Sequence, residues 1–453
     1  MPFNKREGFM RKFAGILLFA AMPAGQGLAQ TALPNPSASV TACPPAVADI
    51  ATCYSDKDPN GAYILAAMPK QWNGNLVVYA HGGPSVIPYA ADSNKSDLNK
   101  YAISVKLGFA WVASTYRREG YGVRMAATDT DNARKYFVER IAQPRRTVLH
   151  GASYGGIVGA KLVEIYGKTI DGKTIYDGAF LNSGLVGGPL KGYDFRVDLR
   201  AVYQHYCQNL PHPDEPQYPL WMGLAQDQKI SLPGLEKLIN DCTGVSRPAA
   251  ERTAEQKARL ANIVNVVNIP ENLLFRHMQS STLLFAGIVR DMTKGRNPFS
   301  NTGVVYKGSN DDAALNRDVA RFAADPSAVA DLRHDGEVTG NIPVPVISIH
   351  SINDPQVAVE HQSVYRDAAA KGGSGERLVQ AYTDEPEHTG QSAPEIAASI
   401  NALMQWIEKG QKPSAVSIAA DCKTLSATLT GPCRYQPDFQ PKPIETRFYQ
   451  RTR

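Results

Sequence analysis

The sequence lacks several features that would assign it to a common class of protein. After the N-terminal leader, no segment has the ~18 consecutive apolar residues of a membrane span. There is no CxxC pair, and no Cys/His spacing matches a zinc site. The formal net charge is only +5, and more than half of that excess lies in Lys5, Arg6, Arg11 and Lys12. We therefore expect no nucleic-acid partner and no stable membrane anchor.

The N-terminal segment has the three-part order of a secretory signal peptide. Basic residues precede an apolar run from Phe13 to Met22, and Gly27-Leu28-Ala29 has the small–x–small form of a cleavage site. The apolar run is too short for a permanent anchor, and no cysteine that could carry a lipid follows the cleavage site. The sequence therefore predicts residues 1–29 as a signal peptide and a secreted or periplasmic protein. A buried N-terminal helix is the alternative.

Six cysteines follow the leader, an even number in a chain predicted to reach an oxidising compartment. Disulfide bonds are therefore expected. Sequence alone does not choose among the possible pairings, and reduced, buried cysteines are the alternative. The pairing that joins neighbours along the chain is Cys43–Cys53, Cys207–Cys242 and Cys422–Cys433.

Apolar runs alternate with stretches of helical spacing between Ala62 and Val186. Strands are predicted at 75–83, 109–116, 146–151 and 177–184, and helices at 96–108, 128–142 and 155–167. Because the strands are apolar throughout, they indicate a mostly parallel sheet that is covered by helices on both faces. The predicted class is an α/β fold.

The alternation is interrupted by a long helical block and then resumes with strands at 344–351 and 377–384 and a helix at 393–410. An insertion after a sheet strand predicts a helical cap over the carboxyl ends of the strands. The predicted organisation is a core in two parts, 30–185 and 343–411, a cap at 186–342, and a Pro-rich tail at 412–453. We expect the tail to be irregular and held by one cysteine pair.

The stretch VLHGASYGGIVGA, residues 148–160, places a serine between glycines where a predicted strand leads into a helix. G-x-S-x-G at such a corner is the pattern of a nucleophile elbow, which exposes the serine hydroxyl at the turn. Gly151 and Gly155 would allow backbone segments to cross closely there. Ser153 is therefore the predicted nucleophile. A tight turn that only needs small residues is the alternative interpretation.

A serine hydroxyl needs a general base, and that base needs an acid that orients it. Asp354 and His388 each come directly after a later predicted strand, so both should lie at the same rim of the sheet as Ser153. The order Ser153, Asp354, His388 is the order that an elbow of this kind requires. These three residues form the predicted catalytic triad.

Each triad assignment has an alternative. Asp354 precedes a proline and could be an ordinary turn or cap residue, and Asp384 is a competing acid. His388 could be a surface histidine. His361 also follows Asp354, but it lies in a predicted helix and not in a loop after a strand.

The stretch AHGGP, residues 80–84, comes after a predicted strand. An elbow serine uses one backbone N–H from such a loop and one from the residue after the nucleophile. Gly82 or Gly83 and Tyr154 are therefore the predicted oxyanion-hole donors, and a pair of turn glycines is the alternative.

Together, His81-Gly82-Gly83-Pro84, the elbow, Asp354 and His388 resemble the α/β-hydrolase superfamily over about residues 62–185 and 343–410. The resemblance implies a serine hydrolase that forms an acyl-enzyme and uses no metal or organic cofactor. The HGGP motif is similar to the loop of proline iminopeptidase-like enzymes, although Ser85 stands where that group has a further glycine.

The function expected from these features is cleavage of carboxylic esters, in small molecules or oligomers, by a secreted serine esterase. A secreted aminopeptidase-like serine peptidase with the same triad is the alternative, and a hydrolase-like protein without catalysis is a third. Predicted substrate contacts are Tyr116 and Arg117, which follow a strand, and Trp221 in the cap. A salt-bridged surface loop and the cap's own core are their alternatives. The oligomeric state is left open.

Overall fold

The computed structural model describes residues 38–169 and 171–451, so the predicted signal peptide lies outside the described residues. The described chain forms one nine-stranded sheet. The strands are β1 Ser39–Thr41, β2 Ala51–Lys57, β3 Tyr63–Pro69, β4 Asn75–Ala80, β5 Ala110–Ser114, β6 Arg146–Ala152, β7 Gly178–Asn182, β8 Val346–Ser351 and β9 Leu378–Thr383. Their order across the sheet is β1-β2-β3-β5-β4-β6-β7-β8-β9.

Most of the sheet is parallel, as the apolar strands predict. All neighbours from β5 to β9 pair in parallel, whereas β1, β2 and β3 add an antiparallel ladder at one edge. Every residue of β4, β5 and β7 is buried, because helices cover both faces of the sheet. The α/β class is confirmed.

The helices are α1 Ser93–Lys100, α2 Ile103–Lys106, α3 Val123–Arg140, α4 Tyr154–Tyr166, α5 Gly188–Cys207, α6 Leu232–Thr243, α7 Ala254–Val267, α8 Leu274–Gln279, α9 Phe285–Gly287, α10 Asp312–Asp318, α11 Pro326–Gly336, α12 His361–Lys371, α13 Ala393–Lys409 and α14 Ala415–Leu425. Helices α3 and α4 pack on one face of the sheet, and α2, α13 and α14 pack on the other.

Helices α5 to α11 lie between β7 and β8 in the chain, where the sequence predicts a cap. Leu199 of α5, Leu235 of α6, Ile263 of α7 and Met278 of α8 belong to a hydrophobic cluster separate from the two that flank the sheet. Residues Ser280–Leu284 and Ile288–Met292 continue α8 and α9 as π-helical turns. The inserted helices therefore bury much of their apolar surface against one another.

Two predicted helices have different bounds in the structure. The helix predicted at 96–108 is divided into α1 and α2, and between them Tyr101 packs its ring on Tyr79 and His150. Helix α3 begins at Val123 and not at 128, because the carboxylate of Asp335 accepts hydrogen bonds from the backbone N–H groups of Val123 (2.7 Å) and Arg124 (3.2 Å). Such a tertiary cap leaves no local signal in the sequence.

The C-terminal segment is more regular than expected. Helix α14 begins with a capping box at Ser414, which stabilises the first turn of a helix. Beyond it, Tyr435 bridges to Thr383 at the edge of β9. The chain then crosses to the inserted helices, where Phe448 stacks on Phe195 with ring centroids 5.1 Å apart.

All six cysteines are paired, and each bond joins neighbours along the chain: Cys43–Cys53, Cys207–Cys242 and Cys422–Cys433. Such bonds are typical of proteins in oxidising compartments. In the described ranges, no helix is long and apolar enough to cross a bilayer.

Candidate active site

Ser153 occupies the sharp turn between β6 and α4. Its backbone has φ 58° and ψ −122°, which is unfavourable for a residue with a side chain and is found where surrounding structure imposes it. The Ser153 N–H donates to the carbonyl of Asn182 (2.9 Å), and the Ser153 carbonyl accepts from Gly156 (2.9 Å) and Leu185 (3.2 Å). These bonds hold the turn that presents the hydroxyl.

The glycines beside Ser153 are required by close backbone contacts. A Cβ at Gly151 would overlap the carbonyl of Gly155, and a Cβ at Gly155 would overlap the carbonyl of Ala80. A side chain at either position would therefore force strand β6 away from α4 or α4 away from β4. The G-x-S-x-G pattern reflects this crossing, as the sequence predicts.

The structure brings Ser153, His388 and Asp354 together. His388 Nε2 lies 2.7 Å from Ser153 Oγ, and His388 Nδ1 lies 2.7 Å from Asp354 Oδ2. The histidine side chain is 9% exposed and the aspartate side chain is fully buried. Both distances are those of hydrogen bonds, so the three groups form a continuous chain from hydroxyl to carboxylate.

Asp354 is held as a carboxylate by its surroundings. Its Oδ1 accepts backbone N–H bonds from Gln356 and Val357, both 2.9 Å long. Burial opposes ionisation, but the charge and hydrogen bond of His388, the charge of His350 and the backbone bond from Val357 outweigh it, and the pKa of Asp354 is lowered below its usual range. An ionised carboxylate keeps Nδ1 of His388 as the protonated nitrogen.

The loop that carries His388 is fixed at several points. Thr389 accepts a hydrogen bond from Lys100 of α1 (2.6 Å), and Glu385 forms an ion pair with Arg434 of the C-terminal segment. The alternatives for acid and base lie elsewhere. Asp384 is exposed and accepts from the Asn353 amide (2.8 Å), and His361 is buried at the start of α12.

The loop at residues 80–84, which contains the predicted donors Gly82 and Gly83 and is called the oxyanion loop below, lies beside the nucleophile. A Cβ at Gly82 would stand 3.9 Å from Ser153 Cβ, so the backbone of this glycine borders the reacting position. His81 binds Asp97 of α1 through Nδ1, and its carbonyl accepts the Tyr116 hydroxyl (2.6 Å). Helix α1 therefore supports both the oxyanion loop and the His388 loop.

Tyr154 is the first residue of α4, where a helix leaves backbone N–H groups without intrahelical acceptors. The side chain of Tyr154 is engaged elsewhere, because its hydroxyl accepts a hydrogen bond from the Gly122 N–H (3.1 Å). Gly82, Gly83 and Tyr154 all line one cavity with Ser153 and His388. The placement suits the predicted pair of donors.

That cavity has a volume of about 430 Å³, which is the size of a small-molecule site. Its floor consists of loops at the carboxyl ends of the strands. Its roof comes from the helical insertion and contains Tyr193, Arg196, Arg276, Gln279 and Ser280. Sequence reasoning missed these roof residues, because nothing local distinguishes them from the other polar positions of the insertion.

The three predicted substrate contacts need correction, since in the described part of the chain none of them lines this cavity. Tyr116 is buried beneath the oxyanion loop, where its hydroxyl binds His81. Arg117 is turned to Asp129 of α3, with Nε 2.9 Å from Oδ1. Trp221 packs half-buried against the hydrophobic cluster that contains α3 and α4. Packing and ion pairing determine all three positions.

In the residues that the structure describes, no group of three or more His, Cys, Asp or Glu side chains could hold a metal ion.

Three features together define the α/β-hydrolase fold. They are the strand order, the elbow between β6 and α4, and the position of the Ser153–His388–Asp354 chain at the sheet rim. This is the fold that the sequence resemblance implies.

No protein-family model matches the chain. It is similar to an o-phthalyl amidase from Xanthobacter agilis, with 20% identity over 415 residues that cover 79% of this chain and 87% of that protein. Among solved structures it is similar to an esterase from Aspergillus oryzae, at 15% identity and TM-score 0.41 over 85% of this chain and 86% of that one. It is also similar to lipase A from Candida antarctica, at 12% identity and TM-score 0.43 over 85% and 84%.

Proposed function

We propose that the chain is a serine hydrolase that cleaves carboxylic ester bonds through an acyl-enzyme. The observation that carries the proposal is the hydrogen-bonded chain from Ser153 through His388 to Asp354, with 2.7 Å at each step. A serine hydroxyl is a weak nucleophile on its own, and an adjacent base that is oriented by an acid makes it reactive. The bordering cavity is of a size to admit a small ester.

The reaction proceeds in two halves. Ser153 Oγ attacks the ester carbonyl while its proton passes to His388 Nε2, and the resulting oxyanion is held by N–H groups of Gly82 or Gly83 and of Tyr154. The tetrahedral intermediate expels the alcohol, which takes the proton from His388. Water then attacks the acyl-enzyme by the same route, releases the acid and restores the hydroxyl of Ser153.

Two environmental effects lower the barrier. Asp354 stays ionised and stabilises the imidazolium that forms when His388 accepts the proton. Each oxyanion donor contributes on the order of 3 kcal/mol, because the donors are already aligned before charge develops. The backbone conformation of Ser153, which the surrounding structure imposes, keeps its hydroxyl in position beside His388 and these donors.

Cleavage of amide bonds is the second candidate. A protein that is similar to this chain over 87% of its own length is named an o-phthalyl amidase. The same triad can cleave an amide if His388 delivers its proton to the leaving amine. An aminopeptidase is less well supported, since among the described residues no Asp or Glu lines the cavity to hold a substrate ammonium group.

We further propose that residues 1–29 direct export to the periplasm or the medium. The three disulfides support this location, because such bonds persist in oxidising compartments.

The central test uses a fluorophosphonate probe and a panel of aryl esters and anilides. We expect wild type to be labelled and to hydrolyse short aryl esters, and Ser153→Ala to lose both activities while keeping its circular dichroism spectrum. Ser246→Ala removes an exposed hydroxyl that does not line the cavity and should keep both activities. Turnover or labelling of folded Ser153→Ala would contradict the assignment, and anilide turnover at rates like those of the esters would favour the amidase.

A further inference from the structure

Arg196 of α5 is a buried cation in the roof of the cavity. It lines the cavity with Ser153 and is only 9% exposed. Its Nη1 donates to the carbonyl of Gly192 (2.5 Å), and its guanidinium lies 4.5 Å from the ring centre of Phe195 and 5.4 Å from that of Tyr193. Arg276, which is exposed, lines the same cavity.

No carboxylate of the described chain forms an ion pair with either arginine. Arg196 Nε is buried and has no hydrogen-bond partner. Arg451, by contrast, binds Asp198 (2.6 Å). Among the described residues, Arg200 of the same helix is also buried without an ion pair, and its Nε and Nη1 have no hydrogen-bond partner. Arg200 does not line the cavity, whereas Arg196 does, so Arg196 is the unpaired buried guanidinium that a bound ligand could reach.

A buried charge without a counter-ion is costly. Burial lowers the pKa of Arg196 to about 10, and the charge of Arg276 acts in the same direction. The guanidinium nevertheless stays protonated at neutral pH, so the cavity keeps a positive group that the protein itself does not neutralise. The flanking rings offset part of this cost through cation–π contacts.

The rest of the roof suits an anion. Tyr193 lines the cavity, and its buried hydroxyl has no partner among the described residues. Gln279 and Ser280 add polar side chains, while the described lining contains neither Asp nor Glu. A guanidinium matches a planar carboxylate through paired N–H donors. The site is thus complementary to a carboxylate group.

We propose that Arg196 binds a carboxylate of the substrate, with Arg276 adding positive charge at the mouth of the cavity. The preferred substrates are then compounds with both a scissile acyl bond and a free carboxylate, such as half-esters of dicarboxylic acids. The chemistry at the scissile bond rests on the proposed function, whereas binding of the carboxylate does not.

The first test compares two ester pairs that differ only in whether a carboxylate is free or methylated. In 4-nitrophenyl hydrogen glutarate and 4-nitrophenyl methyl glutarate it lies on the acyl side. In 4-acetoxybenzoate and its methyl ester it lies on the leaving alcohol. In one of the two pairs we expect the ester with the free carboxylate to have a kcat/KM about 30-fold higher than its methyl ester, mainly through a lower KM. The pair that shows this preference identifies whether Arg196 binds a carboxylate on the acyl side or on the leaving alcohol.

The variants assign this preference to Arg196. Arg196→Met should lower kcat/KM for the preferred carboxylate ester by about 30-fold and change its methyl ester little, because only the ion pair is lost. Arg196→Lys keeps the charge and should restore part of the preference. Arg276→Gln should cost only about threefold, since exposed charges are screened. Arg290→Gln is the matched control, because Arg290 is already bound to Asp291 in the same helical segment.

Failure of the inference and failure of the proposed function give different results. If wild type hydrolyses the free-carboxylate ester and its methyl ester equally well in both pairs, carboxylate recognition is overturned and the hydrolase proposal stands. The same holds if Arg196→Met keeps a preference for the free carboxylate. If no ester is hydrolysed and the probe does not label, calorimetric titration of glutarate and glutaramide into the full-length Ser153→Ala protein decides. We expect glutarate alone to bind and Arg196→Met to abolish that binding; equal binding of both compounds, or none, overturns the inference.

Discussion

The floor and the roof of the cavity are built on opposite plans. In the floor, Ser153, His388 and Asp354 complete one another's hydrogen bonds, and α1 supports the loops on either side. In the roof, Arg196 Nε and the Tyr193 hydroxyl are buried without partners. The triad is therefore hydrogen-bonded without a ligand, whereas these two roof groups are not.

This difference separates two tasks. A reaction that must be repeated on every substrate needs a preorganised site, and the floor achieves this with bonds internal to the sheet rim. Choice among substrates needs groups that are satisfied only by the right ligand, because unpaired polar groups penalise the wrong one. Changes in the floor should therefore affect all substrates equally, and changes in the roof should affect only some.

The largest expected effect follows from removing the acid of the floor. Asp354→Asn should lower kcat by about 10³- to 10⁴-fold on charged and neutral esters alike, because His388 loses the partner that fixes its tautomer and stabilises its charge. Steady-state kinetics on both ester types measures this. Asp384→Asn, which alters the exposed neighbouring acid, should leave both rates unchanged; equal losses in the two variants would refute the assignment of Asp354.

Acid should destabilise both parts by the same mechanism. Burial lowers the pKa of His150, beneath the floor, to about 3, and lowers the pKa of His277 in the insertion well below its usual value. The unfolded chain takes up these protons below pH ~6.5 and the folded chain does not, so stability is full above that pH and is lost as the pH falls towards the folded value. Near pH 4.5 the loss from His150 is about 2–3 kcal/mol.

Urea unfolding at several pH values tests this directly. His150→Gln and His277→Gln should each flatten the dependence of the unfolding free energy on pH, whatever their effect at neutral pH. His212→Gln, at an exposed position, should not. An unchanged slope in both buried variants would show that the two histidines do not control acid sensitivity.

A smaller effect is expected from loosening the oxyanion loop. Asp97→Asn weakens the charged contact to His81 and should lower kcat about 10-fold on every ester, because a charge-assisted bond holds the loop. The ratio of rates for free and methylated carboxylate esters should not change. Asp92→Asn, at an exposed position just before α1, serves as the control. A shift in that ratio in Asp97→Asn would mean that floor and roof are coupled.

The smallest effect concerns Tyr116. Tyr116→Phe removes one hydrogen bond to the His81 carbonyl, worth about 1 kcal/mol, so a loss of about fivefold in kcat is expected. If the sequence-based assignment of Tyr116 to substrate contact were right, KM would rise instead for some esters and not for others. Comparing kcat and KM across the ester panel decides between the two roles.

The sequence predicts the floor far better than the roof, and the reason is physical. The crossing at Gly151 and Gly155 is a local event between a strand and the next helix, so its signature is local. Asp354 and His388 are recognisable because parallel strands bring their carboxyl ends to one rim. Ion pairs such as Arg117–Asp129 and His81–Asp97 arise from tertiary packing, which no spacing rule encodes.

The same limit explains why Arg196 was missed. Its significance lies in the absence of a carboxylate partner within the described chain, and a sequence does not show which charges remain unpaired after folding. The early start of α3 under Asp335 and the helix α14 in the tail are further cases. In the first, a distant residue supplies the cap; in the second, a capping signal lies within a Pro-rich segment.

The crossing of the C-terminal segment to α5 bears on attempts to re-engineer substrate choice. Two residues of this segment contact α5, the helix that carries Arg196. Phe448 stacks on Phe195, and Arg451 forms an ion pair with Asp198 one turn further along. A chimera that grafts the inserted helices of another enzyme onto this sheet must therefore import that enzyme's matching final residues as well. Replacing residues 186–342 alone would remove Asp198, the partner of Arg451, and Phe195, the ring on which Phe448 stacks.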